Sequence, residues 1–294
     1  MNVTPESALS NRGPMIAFLG GNLAEDKHIE FAQLLGKYVA EKTRLRICVT
    51  GYKGKQSRAD SSCCEPSFGF AVADGAASAL DAAEHPLRLV TRIYTKRRGG
   101  SDTFEIGSVV EPHGGNEQSR RLSTISSADV ICLAGGSTGT WGYYNFALAL
   151  EQPVLPLPFF GGAARNIWTR NRMHLRVNFN IDDTTSSRWL NTDLSSLSEE
   201  SVVDLAEAVT AAVAAGVRKR CLVCMPFRDH FEWVFEQIVV PAAAAACADI
   251  VRIDLENVVG DISAKFSSEI TQADCAIAIV TGQRPNVLYE VGFA

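Results

Sequence analysis

The chain has 294 residues, of which 46% are hydrophobic and 21% are charged, and its formal net charge is -5. This length predicts two domains, each able to bury a core without a metal ion or disulfide bonds. The negative charge argues against broad electrostatic binding to nucleic acid, so the expected partner is a small molecule.

Cysteine usage and the amino terminus indicate the compartment. Of eight cysteines, five fall in apolar, strand-like runs, where free cysteine behaves as a small hydrophobic residue: Cys48, Cys132, Cys221, Cys224 and Cys275. The amino terminus has neither the basic nor the apolar region of a secretory signal, and no apolar run is long enough to span a bilayer. We therefore expect a cytoplasmic protein with no membrane partner.

Two strand-helix units open the chain. Residues 15–19 form an apolar run that ends in Gly20 and Gly21, and residues 25–42 carry apolar side chains at helical spacing. A second run, residues 45–50, ends in a turn that contains Gly51, Lys53 and Lys55. These lysines are either phosphate contacts or solvated charges on a turn.

The next segment is less regular. Residues 68–80 are predicted as a helix, residues 87–94 as a strand and residues 117–126 as a helix that carries Arg120 and Arg121. Residues 95–116 are polar and glycine-rich, and they are either a long loop or a hairpin.

Residues 128–141 are the stretch around which the first domain is organised. An apolar run predicts a strand, a glycine-rich loop follows, and residues 143–150 are compatible with a helix. Such a loop brings backbone N–H groups and the positive end of a helix dipole to an anion, which predicts a nucleotide phosphate there. The alternative is a tight turn with nothing bound. The predicted phosphate loop comprises Gly135, Gly136, Ser137, Thr138, Gly139 and Thr140.

Three further features complete the first domain. Because proline has no N–H group to donate within a sheet, the prolines near residues 154–158 indicate a short strand or an edge strand. Arg165 stands in the first turn of a following helix, where a cation opposes the dipole unless an anion is bound. Residues 184–200 hold no strong period and are interpreted as the approach to a linker, whereas residues 201–215 form the last helix.

The strand-helix pattern then restarts. Strands are predicted at residues 221–225, 250–253 and 275–280, with helices at residues 231–246 and 262–270. Cys221 and Cys224 form a C-x-x-C pattern, but they stand in a strand without a second ligand pair, so no metal site is expected. The fold prediction is α/β, with two Rossmann-like doubly wound parallel-sheet domains at residues 1–216 and 217–294. The second domain is expected to lack its final elements, either because the sequence is truncated or because a smaller variant of the fold closes here.

Residues 120–168 resemble the SLOG superfamily, which is related to the lysine-decarboxylase-like phosphoribohydrolases that activate cytokinins. The family pattern has an Arg, an Ala-Asp pair, a strand and then P-G-G-x-G-T-x-x-E. Arg120 and the loop match this pattern, but Ala134 replaces the Pro and Tyr143 stands where the catalytic Glu is expected. The resemblance implies nucleotide binding without hydrolysis. The later glycine turn is similar to SLOG domains of bacterial antiviral systems, which bind NAD-derived signalling nucleotides.

Residues 221–294 resemble domains related to nucleoside 2-deoxyribosyltransferases and to Toll/interleukin-1-receptor-like (TIR-like) NAD glycohydrolases. The resemblance rests on M-P-F after the first strand, which includes Pro226 and Phe227, and on the segment at residues 278–292. It implies that Glu290 attacks or stabilises the anomeric carbon, with Tyr289 and Asn286 as further catalytic residues and Pro226, Phe227 and Arg284 as ligand contacts. Asn286 is otherwise a turn residue. Ile279 and Arg284 replace a family Asp and Asn. Glu290 is otherwise a first-turn glutamate that stabilises a helix dipole.

The sequence therefore predicts a nucleotide sensor. Its first domain is expected to bind NAD or an NAD-derived or cyclic nucleotide. Its second domain is expected to cleave an N-glycosidic bond, with NAD as the expected substrate. The alternative is a regulatory protein whose two domains only bind nucleotides, and phosphoribohydrolysis by the first domain is disfavoured by Tyr143. No resident cofactor is expected, and the TIR-like resemblance implies a homo-oligomer.

Overall fold

The computed structural model describes residues 14–56, 64–93, 103–111, 115–217, 219–226, 231–245, 248–252, 266, 269–270, 273–282 and 284–293. The chain divides into two compact units, Met1–Val217 and Arg218–Ala294. No helix among the described residues is both long and apolar enough to cross a membrane.

The first unit is an α/β structure. Its strands are β1 (Met15–Gly20), β2 (Arg46–Thr50), β3 (Gly54–Gln56), β4 (Cys64–Pro66), β5 (Leu89–Arg92), β6 (Ser108–Val110), β7 (Val130–Ala134) and β8 (Val154–Leu157). Its helices are α1 (Asp26–Lys42), α2 (Phe68–Ala79), α3 (His85–Arg88), α4 (Glu117–Ser126), α5 (Thr138–Ala149), α6 (Gly162–Arg170), α7 (Arg172–Phe179), α8 (Asp183–Asn191) and α9 (Glu199–Val217).

Six strands form one parallel sheet in the order β6-β5-β2-β1-β7-β8, and β3 and β4 form a separate antiparallel hairpin. Every residue of β7 is buried, as expected for a central strand with helices on both faces of the sheet. The chain reverses direction through the sheet between β1 and β7. In such sheets the carboxyl ends of the strands next to this switch point form the usual ligand crevice.

Side-chain caps fix where several helices begin. Ser67 accepts a hydrogen bond from the Phe70 N–H at the start of α2. Asn116 accepts one from the Ser119 N–H at the start of α4. Each cap satisfies an N–H group that the helix itself leaves without a partner. The starts of both helices therefore follow from local sequence.

Most of the predicted elements of the first unit are confirmed, including the edge position of β8. The predicted strand at residues 87–94 is wrong in its first residues, because Pro86 lies in the first turn of the short helix α3. Part of the undecided stretch, residues 95–116, is the edge strand β6.

The linker interpretation of residues 184–200 is wrong, since α8 lies there. Asp182 caps this helix by accepting a hydrogen bond from the Thr185 N–H. Trp189 in α8 is 1% exposed and stacks on Trp168, with 5.5 Å between ring centroids. A single buried tryptophan anchors a helix whose other residues are mostly polar, which explains why no apolar period is visible.

The second unit has a parallel sheet in the order β10-β9-β11. Its elements are β9 (Lys219–Cys224), α10 (Glu232–Val234), a π-helical turn at Phe235–Val239, α11 (Val240–Ala245), β10 (Ala248–Val251), β11 (Cys275–Ala278) and α12 (Pro285–Phe293). The predicted helix at residues 262–270 lies mostly outside the described residues. The α/β fold class with two parallel sheets is confirmed.

The cysteines of the second unit separate into different environments. Cys221 and Cys224 belong to apolar clusters on opposite faces of the sheet, because side chains alternate along a strand. The C-x-x-C pattern therefore does not bring its two thiols together. Cys275 is exposed on the edge strand β11, so the expectation that it is a buried hydrophobic residue is wrong.

Candidate functional site

A cavity of about 250 Å³ lies at the carboxyl ends of β2 and β5 in the first unit. The residues that line it come from these strand ends, from the segment before β6, from α4 and from α5: Thr50, Gly51, Tyr52, Arg92, Ile93, Thr103, Glu117, Arg120, Arg121, Thr124 and Tyr143. Three arginines and one glutamate are the charged members of this set, so the cavity wall carries a formal positive surplus. This composition suits an anionic ligand.

Regular structure brings these side chains together. Thr50 and Arg92 are register partners at the ends of adjacent parallel strands, so both belong to the same end of the sheet. Four α4 residues follow at helical spacing, from Glu117 to Thr124, and thus share one face of the helix. Nη1 of Arg92 lies 3.3 Å from the carbonyl oxygen of Ser123 in α4, which ties the helix to the strand end.

Arg121 is held on several sides. Its guanidinium pairs with Glu117 one helical turn earlier and lies over the ring of Tyr143, 5.5 Å from the centroid. It also lies against the start of α5, where a Cβ added at Gly142 would be 2.7 Å from Nη1 of Arg121. The side chain of Arg121 is 16% exposed and that of Glu117 is 70% exposed. The cation is therefore fixed, whereas its carboxylate partner lies largely in solvent.

Burial keeps the neighbouring phenol and thiol uncharged. Burial raises the pKa of Tyr143, and the charge of Arg121 only partly opposes this rise. Burial likewise raises the pKa of Cys48, against the charges of Arg92 and Arg46. Among the described residues that line the cavity, Glu117 is the acidic residue that pairs with an arginine.

The predicted phosphate loop lies at the switch point of the sheet. A Cβ added at Gly21 would lie 2.8 Å from the nitrogen of Gly136, and one added at Gly162 would lie 2.5 Å from the oxygen of Gly136. The carbonyl oxygen of Gly136 accepts a hydrogen bond from the Ala163 N–H, at 2.9 Å. Glycines at the ends of β1, β7 and β8 thus allow three loops to pack backbone against backbone.

Within this loop, side chains have different surroundings. Ser137 and Thr138 are exposed, whereas Thr140 is buried. A Cβ at Gly136 would meet the side chain of Thr140, and Gly136 has a φ of 76°. Gly139 is next to Arg121, with 3.5 Å between a Cβ added there and Nη2. The loop therefore borders the cavity through Arg121.

The other predicted ligand contacts of this unit fall into three groups. Gly51 and Arg120 line the cavity. Gly20 packs against the carbonyl group of Ala134 in the neighbouring strand. Lys53 and Arg165 are exposed and are not among the described residues that line the cavity.

Sequence reasoning did not assign Arg92, Arg121 or Glu117 to the site. A signal for Arg92 exists, since it is a charged residue at the carboxyl end of an otherwise buried strand. The helical spacing of Glu117, Arg120, Arg121 and Thr124 is a second signal, because it predicts one shared face.

In the second unit, Glu290 lies near the carboxyl end of the central strand. It is partly buried. Burial of the Cys224 thiol, together with the charge of Glu290 and a hydrogen bond to it, raises the pKa of Cys224 to about 12. The helix α12 begins at Pro285, so Glu290 is in its second turn. The prediction that Glu290 stands at the helix start is therefore wrong, and the dipole contributes little to its ionisation.

The remaining predicted residues of this unit are dispersed or not described. Tyr289 is 64% exposed, Pro226 is buried and Arg284 is partly buried. Phe227 and the side chain of Asn286 lie outside the described residues. In the described part of the chain, no group of three or more His, Cys, Asp or Glu side chains is placed to hold a metal ion.

No protein-family model and no curated protein matches the chain. A structural-genomics target designated TM1055 matches it at 20% identity and a TM-score of 0.39, over 53% of this chain and 81% of that one. A molybdenum cofactor binding protein from Rippkaea orientalis matches at 17% identity and a TM-score of 0.36, over 49% and 75%. A putative UDP-N-acetylglucosamine 2-epimerase from Listeria monocytogenes matches at 9% identity and a TM-score of 0.25, over 88% and 66%. All three TM-scores are below 0.5, so the residues of the chain itself carry the functional argument.

Proposed function

We propose that the first unit is a sensor domain that binds a phosphorylated nucleotide, either NAD-derived or cyclic, in the cavity at the ends of β2 and β5. The observation that carries this proposal is the presence of Arg92, Arg120 and Arg121 in one cavity wall. Guanidinium groups form paired hydrogen bonds with phosphate oxygens, and their fork geometry makes them the preferred phosphate ligands. The resemblance of residues 120–168 to SLOG domains supports the same ligand class.

The size of the cavity suggests how much of the ligand it holds. Its volume of about 250 Å³ is below the roughly 300–1,000 Å³ of typical ligand pockets. We therefore assign one phosphate-bearing end of the nucleotide to the cavity. The rest of the ligand extends toward the exposed Ser137 and Thr138 of the glycine loop.

Hydrolysis is not assigned to this unit. Tyr143 stands where the resembling phosphoribohydrolases have their glutamate, and it lines the cavity. Burial raises its pKa, so at neutral pH it is an uncharged phenol. An uncharged phenol neither stabilises an oxocarbenium ion electrostatically nor acts as a strong general base. Binding without cleavage is the function that fits this side chain.

The test is calorimetric titration of the full chain with NAD, ADP-ribose, AMP and cyclic AMP. Arg120→Ala is expected to weaken binding about 10–100-fold, because a charge-assisted hydrogen bond contributes about 1.5–3 kcal/mol. Arg172→Ala is the matched control, since this arginine is exposed at the start of α7. Thermal unfolding of both variants separates lost binding from lost folding. Unchanged affinity in folded Arg120→Ala contradicts the assignment of Arg120.

For the second unit we propose cleavage of an N-glycosidic bond, with NAD as the substrate and Glu290 as the reacting carboxylate. The supporting observation is the position of Glu290, partly buried beside Cys224 at the carboxyl end of the central strand. Ligands of parallel sheets bind at this end.

We also propose that the chain acts as a homo-oligomer in nucleotide signalling of the antiviral type, as its resemblances imply. The alternative to this enzyme-linked sensor is a regulatory protein whose two units only bind nucleotides.

A further inference from the structure

The ion pair between Glu117 and Arg121 occupies a place that an anionic ligand would need. Both side chains line the cavity. Arg121 lies against Gly139 and Gly142 at the start of α5, where the helix dipole is positive. A cation in this position is favourable only with an anion beside it, and Glu117 supplies that anion in the structure described.

The two members of the pair differ in how firmly they are held. Arg121 has the backbone of α5 on one side and the Tyr143 ring on another, and it is 16% exposed. Glu117 is the first residue of α4, and its side chain is 70% exposed. Because the Glu117 carboxylate lies largely in solvent, it can rotate into water when another anion takes its place beside Arg121, whereas the contacts with α5 and Tyr143 keep the guanidinium in position.

We infer that Glu117 is an internal competitor that occupies the anion position beside Arg121 and thereby lowers the affinity of the cavity for every phosphate ligand that has to displace it. Breaking the ion pair costs the same free energy whichever ligand enters, so the affinities for a phosphodiester and for a phosphomonoester are lowered by the same factor. A phosphomonoester carries nearly two negative charges at neutral pH and is therefore expected to bind the arginines more tightly than a singly charged phosphodiester does. The inference rests on the proposed nucleotide site, and it predicts that removal of the Glu117 charge strengthens the binding of both kinds of nucleotide.

The experiment compares AMP with 3′,5′-cyclic AMP by calorimetry on the full chain, as wild type and as Glu117→Gln. The glutamine keeps the size of the side chain and removes its charge. Wild type is expected to bind AMP more tightly. Glu117→Gln is expected to bind both AMP and cyclic AMP at least fivefold more tightly than wild type does, because the displacement cost common to the two ligands is removed.

Glu199→Gln is the matched control, because Glu199 is also an exposed glutamate in the first turn of a helix. Its affinities are expected to equal those of wild type. If Glu117→Gln binds both nucleotides as wild type does, or more weakly, while Arg120→Ala loses binding, the competitor role is overturned and the nucleotide site stands. If neither wild type nor Glu117→Gln binds any phosphorylated nucleotide, the proposed function itself fails, and the competitor role fails with it.

Discussion

The chemistry proposed for each unit depends on one position in the pattern that the unit resembles. Tyr143 stands where the SLOG-related pattern has a catalytic carboxylate, and Arg121 lies over its ring. Glu290 stands where the families that resemble the second unit have a reacting carboxylate, and burial together with Glu290 disfavours the thiolate of Cys224. The two units are thus expected to differ in activity although both are parallel α/β structures.

Replacing Glu290 with Gln tests the second activity. If Glu290 attacks the anomeric carbon or stabilises its positive charge, the variant loses about 10³-fold or more in the rate of NAD cleavage. The measurement is nicotinamide release by chromatography, with and without added adenine nucleotides. Glu236→Gln is the control, since Glu236 is an exposed glutamate of the same unit. Equal rates in an active wild type and the Glu290 variant would show that Glu290 is structural.

At this scale the sequence predicts the site only in part. Arg120 is predicted because it matches the Arg that precedes the Ala-Asp pair in the SLOG-related pattern, and in the structure it lines the cavity. Arg92 is not found, since its role depends on β5 lying next to β2, and sheet order is a long-range property. The pairing of Thr50 with Arg92 illustrates this, because the two residues are separated by a hairpin and two helices.

At the scale of elements, the glycine turns contribute to packing between loops. The sequence has glycines after each of the strands β1, β7 and β8, and in the structure the loops at these strand ends pack against one another. Gly21 and Gly162 are both close to Gly136, although each follows a different strand. The absence of a Cβ at such a junction therefore permits the close approach of either an anion or another backbone segment. A single sequence does not distinguish them.

Gly21→Ala is expected to destabilise the first unit. The added Cβ would lie 2.8 Å and 2.9 Å from the nitrogen and Cα of Gly136, so backbone has to move. Overpacking of this kind costs about 1–3 kcal/mol, and each kcal/mol lowers Tm by roughly 2–4 °C in a domain of this size. Gly115→Ala is the control, because no atom lies within 4 Å of its added Cβ. Equal melting temperatures for the two variants would contradict the close packing of the loops.

At the scale of the whole molecule, each of the two units has a sheet and apolar clusters of its own. The alternation of strand and helix predicts this division, because parallel strands need crossover helices and the pattern visibly restarts. Strand order is not predicted, because it is set by tertiary pairing between strands that are distant in sequence. The helices α7 and α8 are not predicted either, because they depend on a few buried aromatic residues.

Residues 1–217 expressed alone are expected to fold and to bind the same nucleotide as the full chain. All described residues that line the cavity belong to this unit. The expected affinity is within about twofold of that of the full chain, because the remaining residues contribute no side chain to the described wall. Calorimetry and circular dichroism provide the measurements. A folded fragment with much weaker binding would mean that the second unit contributes to the site.

The helix α4 supplies four of the residues that line the cavity within ten consecutive positions. The glycine loops that join the strands pack mainly through backbone contacts with one another, and α4 contacts the loop after β7 through Arg121. Apart from Arg121, the α4 residues that line the cavity are therefore expected to affect ligand preference more than the packing of the strand ends. Changes confined to this short helix are therefore expected to change the ligand preference of the cavity. An α4 sequence exchanged between related chains is expected to transfer that preference.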